Sequence, residues 1–385
     1  MVNAWLAKNP RADRKMPFGR EQQMVINPNG VPELADELKQ CPAHKETPLH
    51  ALPALAERLG IGELLVKDES QRFGFGAFKA LGGVLGVYGT LSSAVGEAYH
   101  IHTTFKDVMD GKHREVTGGY VFSTASSGNH GRAVAAGAKL FQNRCVIFLP
   151  KFTSAEKEAA IKARGAEVIR VDGDYEAAVE ECKRRSAKEG WTIISDTSWE
   201  GYDRTPRTVM RGYTVLVEEI IQQYRKGPTH VFVQAGVGGL AAAVIGYFWA
   251  RYEPRPNFIV VEPESADCWF QSNRAGKPAL ASGDATTVMG GLACREISPI
   301  TWPVVGVAAD WFMTITEDEV TPARKLLAHP LNGDPVIASG PSGCSGLAGL
   351  TRVCTDRRAY NAMGLDRGAR VLLINSEGNL GEGAA

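Results

Sequence analysis

The chain has 385 residues, of which 44% are hydrophobic and 22% charged, so it has the composition of an ordinary globular protein and enough length for two packed units. Lysine plus arginine and aspartate plus glutamate number 43 each, which excludes a strong overall attraction to nucleic acids or charged membranes. The seven cysteines form no C-x-x-C pair, and we predict no metal site. Because neither a long apolar run nor a secretory signal is visible, we predict a cytoplasmic protein that does not enter a membrane.

Short apolar runs alternate with helical patterns from about residue 60 onward. In chain order, the strand-like runs are "ELLVKDE", "GGYVFS", "RCVIFLP", "AEVIRVDG", "TIISDTS", "THVFVQ", "NFIVVEP" and "RVLLIN". The segments "TSAEKEAAIKARG" and "DYEAAVEECKRRSAKEG" separate three of them and have helical periodicity. Buried strands between helices predict an α/β fold with mostly parallel sheets covered by helices on both faces. Ligands of such folds bind where the carboxyl ends of strands meet helix N-termini.

A glycine-rich segment, "QAGVGGLAAAV", follows the apolar run "THVFV". Gly236, Gly238 and Gly239 let backbone N–H groups converge at the start of a helix, an arrangement that binds phosphate. One interpretation is a dinucleotide fingerprint, since Gly236, Gly238 and Ala241 satisfy G-x-G-x-x-A and Glu262 ends the next strand. The other is a cup for a single phosphate monoester. The segment by itself leaves both interpretations open.

Two polar segments occupy similar strand ends. "STASSGNHG" gathers hydroxyls, an amide and an imidazole before an Ala-rich helix, whose N-terminus suits an anion such as a carboxylate. An ordinary serine N-cap would explain Ser126 or Ser127, but not Asn129 and His130 directly afterwards. In "INSEGN", after the last apolar run, Ser376 could hydrogen-bond a heteroaromatic nitrogen or simply form a turn.

Lys79 lies in "RFGFGAFKALGG", a run of glycines, phenylalanines and small apolar residues. A helix lysine commonly keeps its ammonium group in water. In an apolar pocket it loses hydration instead, so we expect a lowered pKa and a nucleophilic free amine for Lys79. A phosphate cup, an anion-binding loop and a desolvated lysine together favour pyridoxal 5'-phosphate, an aldehyde held by a Schiff base and a phosphate. A nicotinamide cofactor would leave Lys79 and "SSGNHG" without roles.

These segments, in this order, resemble the fold-type-II pyridoxal-phosphate enzymes, the group of threonine dehydratase, serine racemase and the tryptophan synthase β subunit. Within that group, residues 15–380 are similar to the diaminopropionate ammonia-lyases. The likeness is carried by "KDESQRFGFGAFKALGG", "GNHGR", "DTSWEGY", "QAGVGGLA", "EPESADC", "GLAC" and "SEGN". The resemblance implies a homodimer and two open, twisted, mostly parallel sheets. It places the cofactor in a cleft between a large domain (1–83 and 211–385) and a small domain (84–210).

The resemblance also assigns roles to single positions. Lys79 would hold the cofactor as a Schiff base and remove the Cα proton on its own face of the substrate. The cofactor phosphate would be bound by Gly236, Val237, Gly238, Gly239 and Leu240. The cofactor ring would contact Asn129 at its phenolic oxygen and Ser376 at its nitrogen. The small amino-acid substrate would be bound by Ser126, Asn129, His130, Tyr175 and Asp196. Cys268 and Cys294 match a cysteine pair near the entrance of the family's active site.

Two positions depart from the ammonia-lyase pattern. The family has an aspartate, a second base opposite the lysine, where this chain has Ser127, whose hydroxyl is a far poorer base. Serine racemase also has a serine there, which leaves two-base chemistry open and keeps Ser127 as a catalytic candidate beside Lys79. The second departure is Pro341, which replaces a glutamate.

We therefore predict a lyase that eliminates the β substituent of a small amino acid and releases a 2-oxo acid and ammonia. Diaminopropionate is the leading substrate, with preference for the L-enantiomer. The alternatives are a dehydratase or racemase for serine, threonine or other β-hydroxy amino acids, and, more remotely, an NAD-dependent oxidoreductase built on the glycine segment. A catalytically inactive protein that keeps the cofactor cup is a further alternative.

Overall fold

The computed structural model describes residues 4–379. The strands are β1 (Leu6–Lys8), β2 (Leu49–Ala51), β3 (Glu63–Asp68), β4 (Val121–Ala125), β5 (Arg144–Pro150), β6 (Glu167–Val171), β7 (Thr192–Ile193), β8 (His230–Gln234), β9 (Asn257–Pro263), β10 (Trp311–Ile315) and β11 (Arg370–Asn375). The first eight helices are α1 (Arg20–Val25), α2 (Val31–Leu38), α3 (Pro53–Leu59), α4 (Lys79–Tyr99), α5 (Phe105–Met109), α6 (Arg114–Thr117), α7 (Asn129–Leu140) and α8 (Ala155–Lys162). The remaining helices are α9 (Tyr175–Glu189), α10 (Arg204–Gln223), α11 (Gly239–Arg251), α12 (Cys268–Ala275), α13 (Trp302–Ala308), α14 (Glu317–Ala328), α15 (Ser345–Thr355) and α16 (Arg357–Met363).

The strands form two sheets. The larger has seven strands in the order β1-β10-β9-β8-β11-β3-β2. Its five central strands run parallel, and only the edge strands β1 and β2 are antiparallel to their neighbours. The smaller sheet has the order β6-β5-β4-β7 and is parallel throughout. The prediction of an α/β fold with two mostly parallel sheets is confirmed.

The larger sheet is covered on both faces, as its apolar strands require. All five residues of β8 are buried, and successive side chains enter different cores. Val231 and Val233 pack in one core with residues of α4, α10 and α11. Phe232 points the other way, into a second core with residues of α15 and α16. A continuous apolar run therefore forms a strand here, because neither of its faces meets water.

The two sheets meet along α4, which packs against α7 of the smaller sheet and against α10 beside the larger one. Lys79 is the first residue of α4, so it lies where the two sheets come together. The strands of the smaller sheet all fall within residues 121–193. The predicted domain boundaries at 83/84 and 210/211 stay a prediction.

Two kinds of feature are absent from residues 4–379. No helix in this range has the length and apolar character needed to cross a bilayer. No group of three or more histidine, cysteine, aspartate or glutamate side chains is arranged there to hold a metal ion.

Candidate active site

A cleft of about 1150 Å³ lies between the two sheets, a volume sufficient for a cofactor together with a small substrate. Every predicted site residue lines this cleft: Lys79, Ser126, Ser127, Asn129, His130, Tyr175, Asp196, Gly236, Val237, Gly238, Gly239, Leu240 and Ser376. Strands β4, β7, β8 and β11 deliver most of them, because each strand's carboxyl end opens into a loop at the cleft. Residues far apart in the sequence therefore converge at one place.

The glycine loop between β8 and α11 has the geometry of an anion cup. Gly238 has φ of 102°, and a Cβ there would lie only 2.3 Å from Trp269 Cζ2, so a larger residue does not fit. The carbonyl oxygen of Gly236 accepts a hydrogen bond from Trp269 Nε1 (2.9 Å), and that of Val237 accepts one from Ser298 N (2.8 Å). With these carbonyls held by the protein, the positive end of the 13-residue α11 faces the cleft.

Glu262, the acid that a dinucleotide fingerprint would require, does not face this loop. Its side chain is fully buried, and its two oxygens accept hydrogen bonds from Trp269 N and Phe270 N, both at 2.8 Å, at the start of α12. Burial raises the pKa of Glu262 well above its ordinary range. The carboxyl group is therefore a structural cap, and it leaves no acid at that strand end for a ribose.

Lys79 forms an ion pair with Asp196 at the wall of the cleft, where 20% and 19% of the two side chains are exposed. Burial lowers the pKa of Lys79, but the charge and hydrogen bond of Asp196 outweigh burial, and the pKa lies above its ordinary value. The expected lowering of the Lys79 pKa is therefore wrong in this arrangement. Burial likewise opposes ionisation of Asp196, yet the charge and hydrogen bond of Lys79 hold its pKa well below the usual range. The lysine must leave Asp196 before it can act as a base.

His130 is held as a neutral imidazole. Nε2 donates a hydrogen bond to Ile194 O (2.8 Å), and burial lowers the pKa of the ring. Nδ1 lies 3.9 Å from Asp196 Oδ2 and has no hydrogen-bond partner within the described residues. In this state Nδ1 offers a lone pair, so the predicted contact with a substrate carboxylate would need a proton on that nitrogen.

Asn129 begins α7 with both ends of its amide engaged. Its Nδ2 donates to Glu377 Oε2 (2.8 Å), and its Oδ1 accepts from Arg132 Nη2 (2.5 Å). The amide is thereby oriented toward the cleft. Earlier in the same loop, Ser126 Oγ accepts a hydrogen bond from Gly128 N (3.4 Å).

Ser376 is 4% exposed and is held by a glutamine that the sequence did not reveal as part of the site. Gln234 Nε2 donates to Ser376 Oγ (2.9 Å) and also to Ser342 O and Ile374 O. Because Oγ accepts from the glutamine, the hydroxyl proton of Ser376 remains available for an acceptor in the cleft.

Two predicted residues lie in less enclosed positions. Ser127, on the loop after β4, is half-buried. Tyr175 is the first residue of α9, and 53% of it is exposed where it lines the cleft. The structure brings both to the same cavity as Lys79.

The predicted cysteine pair flanks the glycine loop as two free thiols. Cys268 Sγ lies 4.0 Å from Gly236 O, and Cys294 Sγ would lie 2.9 Å from a Cβ at Gly236. Burial raises the pKa of Cys294 to about 11. The resemblance implies only that these two cysteines lie near each other at the entrance of the active site, and that implication stays a prediction.

Sequence patterns missed three more residues at this site. Arg132 and Glu377 hold the Asn129 amide, and Tyr213 lies behind Lys79, with Nζ 5.9 Å from its ring centroid. A tyrosine in an amphipathic helix such as α10 is ordinarily part of the core, so nothing in the pattern separated Tyr213 from its neighbours. Gln234 did carry a clue, since it is a polar residue ending a buried run just before the glycine loop.

Comparisons with known proteins agree with this geometry. A family model described as "Pyridoxal-phosphate dependent enzyme" matches residues 41–377. The diaminopropionate ammonia-lyase of Escherichia coli K12 is 37% identical over 346 residues, which cover 87% of this chain and 85% of that protein. The enzyme of the same name from Salmonella typhimurium LT2 is 36% identical over 366 residues, covering 92% and 90%.

A solved structure of the Escherichia coli enzyme, in complex with an aminoacrylate-PLP azomethine reaction intermediate, superposes with a TM-score of 0.83 and 33% identity. The superposition covers 97% of this chain and 93% of that chain. Agreement of this extent concerns the whole fold and not an isolated motif. The chain belongs to the pyridoxal-phosphate-dependent enzymes, in the fold-type-II group that includes these ammonia-lyases.

Proposed function

We propose that this enzyme eliminates the β-amino group of L-2,3-diaminopropionate, or of a close relative, and releases a 2-oxo acid and ammonia. The single observation that carries the proposal is the Lys79–Asp196 ion pair at the wall of a cleft that also holds an anion cup. A lysine that can remove a proton and a carboxylate that binds a cation are the two side chains that such a reaction needs from the protein.

The residues present fit pyridoxal phosphate. The cup at Gly238 and the start of α11 would bind the phosphate, and the hydroxyl group of Ser376 would donate a hydrogen bond to the ring nitrogen. Lys79 would bond to the aldehyde carbon, and the Asn129 amide is held facing the same space. When bound, the cofactor supplies a carbonyl carbon for amino groups and a ring that stabilises negative charge at Cα.

The Lys79 amine is the proposed base for the Cα proton. Once Nζ is free, no longer bonded to the aldehyde carbon and no longer paired with Asp196, the neutral amine would have a lone pair with which to take that proton. The proton moves from Cα to Nζ, and the electron pair of the C–H bond stays with the substrate. The β substituent then departs with the electrons of its own bond to Cβ. Water hydrolyses the unsaturated amino acid that remains, which gives the 2-oxo acid and releases the α-amino group as ammonia.

Asp196 supports an amino group as the departing substituent. Against the opposing effect of burial, Lys79 lowers the pKa of this carboxyl group, so the carboxylate needs a new cation when Lys79 moves away. A β-ammonium group supplies that cation, whereas the hydroxyl of serine supplies only a neutral donor. We therefore favour diaminopropionate over serine, in agreement with the names of the most similar relatives.

Ser127 supports a preference for one enantiomer. It occupies the position at which the related lyases have an aspartate as a second base, and a serine hydroxyl does not ionise near neutral pH. Because a serine stands where that second base would be, we assign the proton transfer to Lys79, so protons leave Cα from the face of the lysine. That face is the one that the L-enantiomer presents.

The test is an ammonia and keto-acid assay over both enantiomers of diaminopropionate and serine. We expect turnover of L-diaminopropionate and little of the D-form, and we expect Ser127→Asp to raise the D rate. Ser126→Asp is the matched control, because it adds the same charge one residue away. Rapid turnover of D-diaminopropionate by the unchanged enzyme would reject the proposed preference.

The main alternative is a dehydratase or racemase for β-hydroxy amino acids, favoured by the serine at position 127. It predicts that serine is consumed faster than diaminopropionate, or that one serine enantiomer is converted to the other. A protein that binds the cofactor but releases no ammonia from any of these amino acids would instead be an inactive relative. The homodimer and the two-domain division belong to this proposal, and the mass of the protein in solution tests the homodimer.

A further inference from the structure

One buried hydroxyl beside the cleft lacks a partner. Tyr213 of α10 has no exposed surface, and its phenolic oxygen has no hydrogen-bond partner among residues 4–379. An unsatisfied buried hydroxyl destabilises a folded protein, and phenylalanine would fill the same space without that cost. Packing alone therefore does not account for this hydroxyl.

The ring of Tyr213 is fixed next to Lys79. At Gly82, helix α4 passes so close that a Cβ would lie 2.4 Å from Cε1 and 2.6 Å from Cζ of the tyrosine. Phe78 packs against the ring with centroids 4.7 Å apart, and a Cβ at Gly239 would lie 3.6 Å from Cε2. The ring is therefore held between α4 and the start of α11, with Lys79 Nζ 5.9 Å from its centroid.

We propose that Tyr213 is a positioning residue for Lys79. When the amine of Lys79 leaves Asp196, the hydroxyl oxygen of Tyr213 accepts a hydrogen bond from it. The inference rests on the proposed function, in which Lys79 removes the Cα proton. A carboxylate holds an ammonium group well, but it does not leave the lysine free to react. A phenol oxygen accepts one N–H from either the neutral or the protonated amine, and the nitrogen lone pair stays directed at the substrate.

The same contact would stabilise the product of the proton transfer. The proton leaves Cα and becomes bound to Nζ, while the electron pair of the broken bond stays on the substrate. The new ammonium group then lies beside a phenol oxygen and within reach of the face of an aromatic ring, and both attract a cation. Tyr213 thereby stabilises the state in which the proton is on Nζ of Lys79 relative to the state in which it is on Cα.

The ionisable groups around Lys79 come from several elements. They are His130 on α7, Tyr175 on α9, Asp196 after β7, Tyr213 on α10 and Cys294 in the loop before α13. Burial lowers the pKa of Lys79, and the charge and hydrogen bond of Asp196 raise it. Burial also raises the pKa of Tyr213 above its ordinary range, so the phenol stays neutral at working pH. A neutral phenol oxygen that accepts a hydrogen bond stabilises the ammonium form of the lysine, so removal of the hydroxyl should lower the pKa of Lys79.

The test compares Tyr213→Phe with Tyr247→Phe in the holoenzyme. Tyr247 is also fully buried, but its hydroxyl donates a 2.7 Å hydrogen bond to Glu218 Oε2. For Tyr213→Phe we expect kcat/KM for L-diaminopropionate to fall about tenfold, the loss of one hydrogen bond to a charged group. The acid limb of the kcat–pH profile, which reports the complex in which the lysine is a free amine, should move to lower pH. Tyr247→Phe should leave both unchanged.

Thermal unfolding of the cofactor-free protein gives a readout that does not depend on activity. Tyr213→Phe should leave Tm unchanged or higher, because it removes an unsatisfied group, whereas Tyr247→Phe should lower Tm. An unchanged kcat/KM and pH limb for Tyr213→Phe would overturn the inference, as would a fall in Tm equal to that of the control without a pH shift. Lys79→Ala tests the proposed function separately. If that variant is inactive while Tyr213→Phe is unaffected, the function stands and this inference fails.

Discussion

Lys67 is a buried lysine and Lys79, twelve residues later, a half-buried one, and their surroundings differ sharply. Lys67, on β3, is 0% exposed and forms three hydrogen bonds. Its acceptors are Thr47 O at 2.7 Å, Glu219 Oε2 at 2.6 Å and Gln223 Oε1 at 3.1 Å. Lys79 has one carboxylate partner, Asp196, and the rest of its ammonium group faces the cleft.

The charges around Lys67 are balanced within the protein. Arg72 is also fully buried and donates to Glu69 and Glu219 at 2.7–2.8 Å, so two cations face two carboxylates. An ammonium group has three hydrogens to donate, and at Lys67 all three are used. Burial alone therefore does not distinguish a reactive lysine. A reactive lysine is distinguished by ammonium hydrogens that have no acceptor within the protein and face a cavity.

The largest effect should come from Lys79→Ala. Loss of the base should reduce elimination by about 10⁴-fold, while the fold survives because the cleft can admit water in place of the side chain. Steady-state keto-acid release measures the rate, and circular dichroism verifies the fold. If the variant kept about a tenth of the wild-type rate, Lys79 would not be the base, and Lys79 would not differ from Lys67 in reactivity.

Glu219→Gln should act on stability. Removing one partner of a buried ion pair leaves an uncompensated charge, which costs about 3–5 kcal/mol of unfolding free energy. The matched control is Glu63→Gln, whose pair with Lys226 is solvent-exposed and should contribute less than about 1 kcal/mol. Urea denaturation separates the two. Equal unfolding midpoints for the two variants would mean that the Lys67 cluster, formed by Lys67, Glu69, Arg72 and Glu219, does not stabilise the fold.

Asp196→Asn should affect catalysis more than stability. A neutral amide cannot attract a β-ammonium group, so kcat/KM for L-diaminopropionate should fall about 30-fold or more. The rate for serine, which has no β charge, should fall less. An equal loss for both substrates would show that Asp196 does not recognise the departing group.

The smallest effect is a pH dependence within the Lys67 cluster. Burial raises the pKa of Glu219, but Arg72 and Lys67 outweigh it and bring the pKa down to about 2 in the folded state. A carboxyl group with a lowered folded pKa adds stability above its unfolded pKa of about 4.3 and loses it as pH falls toward 2. The stability difference between the wild type and Glu219→Gln should therefore shrink between pH 4 and pH 2. A difference that stays constant over this range would contradict the assigned ion pairs.

Much of the fold was predictable because central parallel strands are continuous apolar runs. β3, β5 and β9 match their predicted runs closely. The edge strands β1 and β2 have three residues each and offer no such run. β7 is also shorter than its run, "TIISDTS", and the polar residues that begin at Ser195 line the cleft.

Site residues could be predicted where the chemistry requires a particular residue type. Those whose role depends on contacts made only in the folded protein could not be predicted. Glycines at a strand end and a lysine among apolar residues pointed to the cofactor. The sign of the Lys79 pKa shift was wrong because its partner, Asp196, lies 117 positions away and reaches it only through the fold. Tyr213 could not be identified at all, since its distinction is an unsatisfied hydroxyl, and no sequence pattern records that.

Glu262 limits how this scaffold could be given another cofactor. The glycine loop alone nearly satisfies a dinucleotide fingerprint, which makes a redesign look simple. The carboxylate that a ribose would need is already committed to the first turn of α12. Turning it toward the loop would remove the cap of that helix and leave buried backbone N–H groups without hydrogen-bond acceptors. A designer would therefore have to rebuild α12 before changing any glycine.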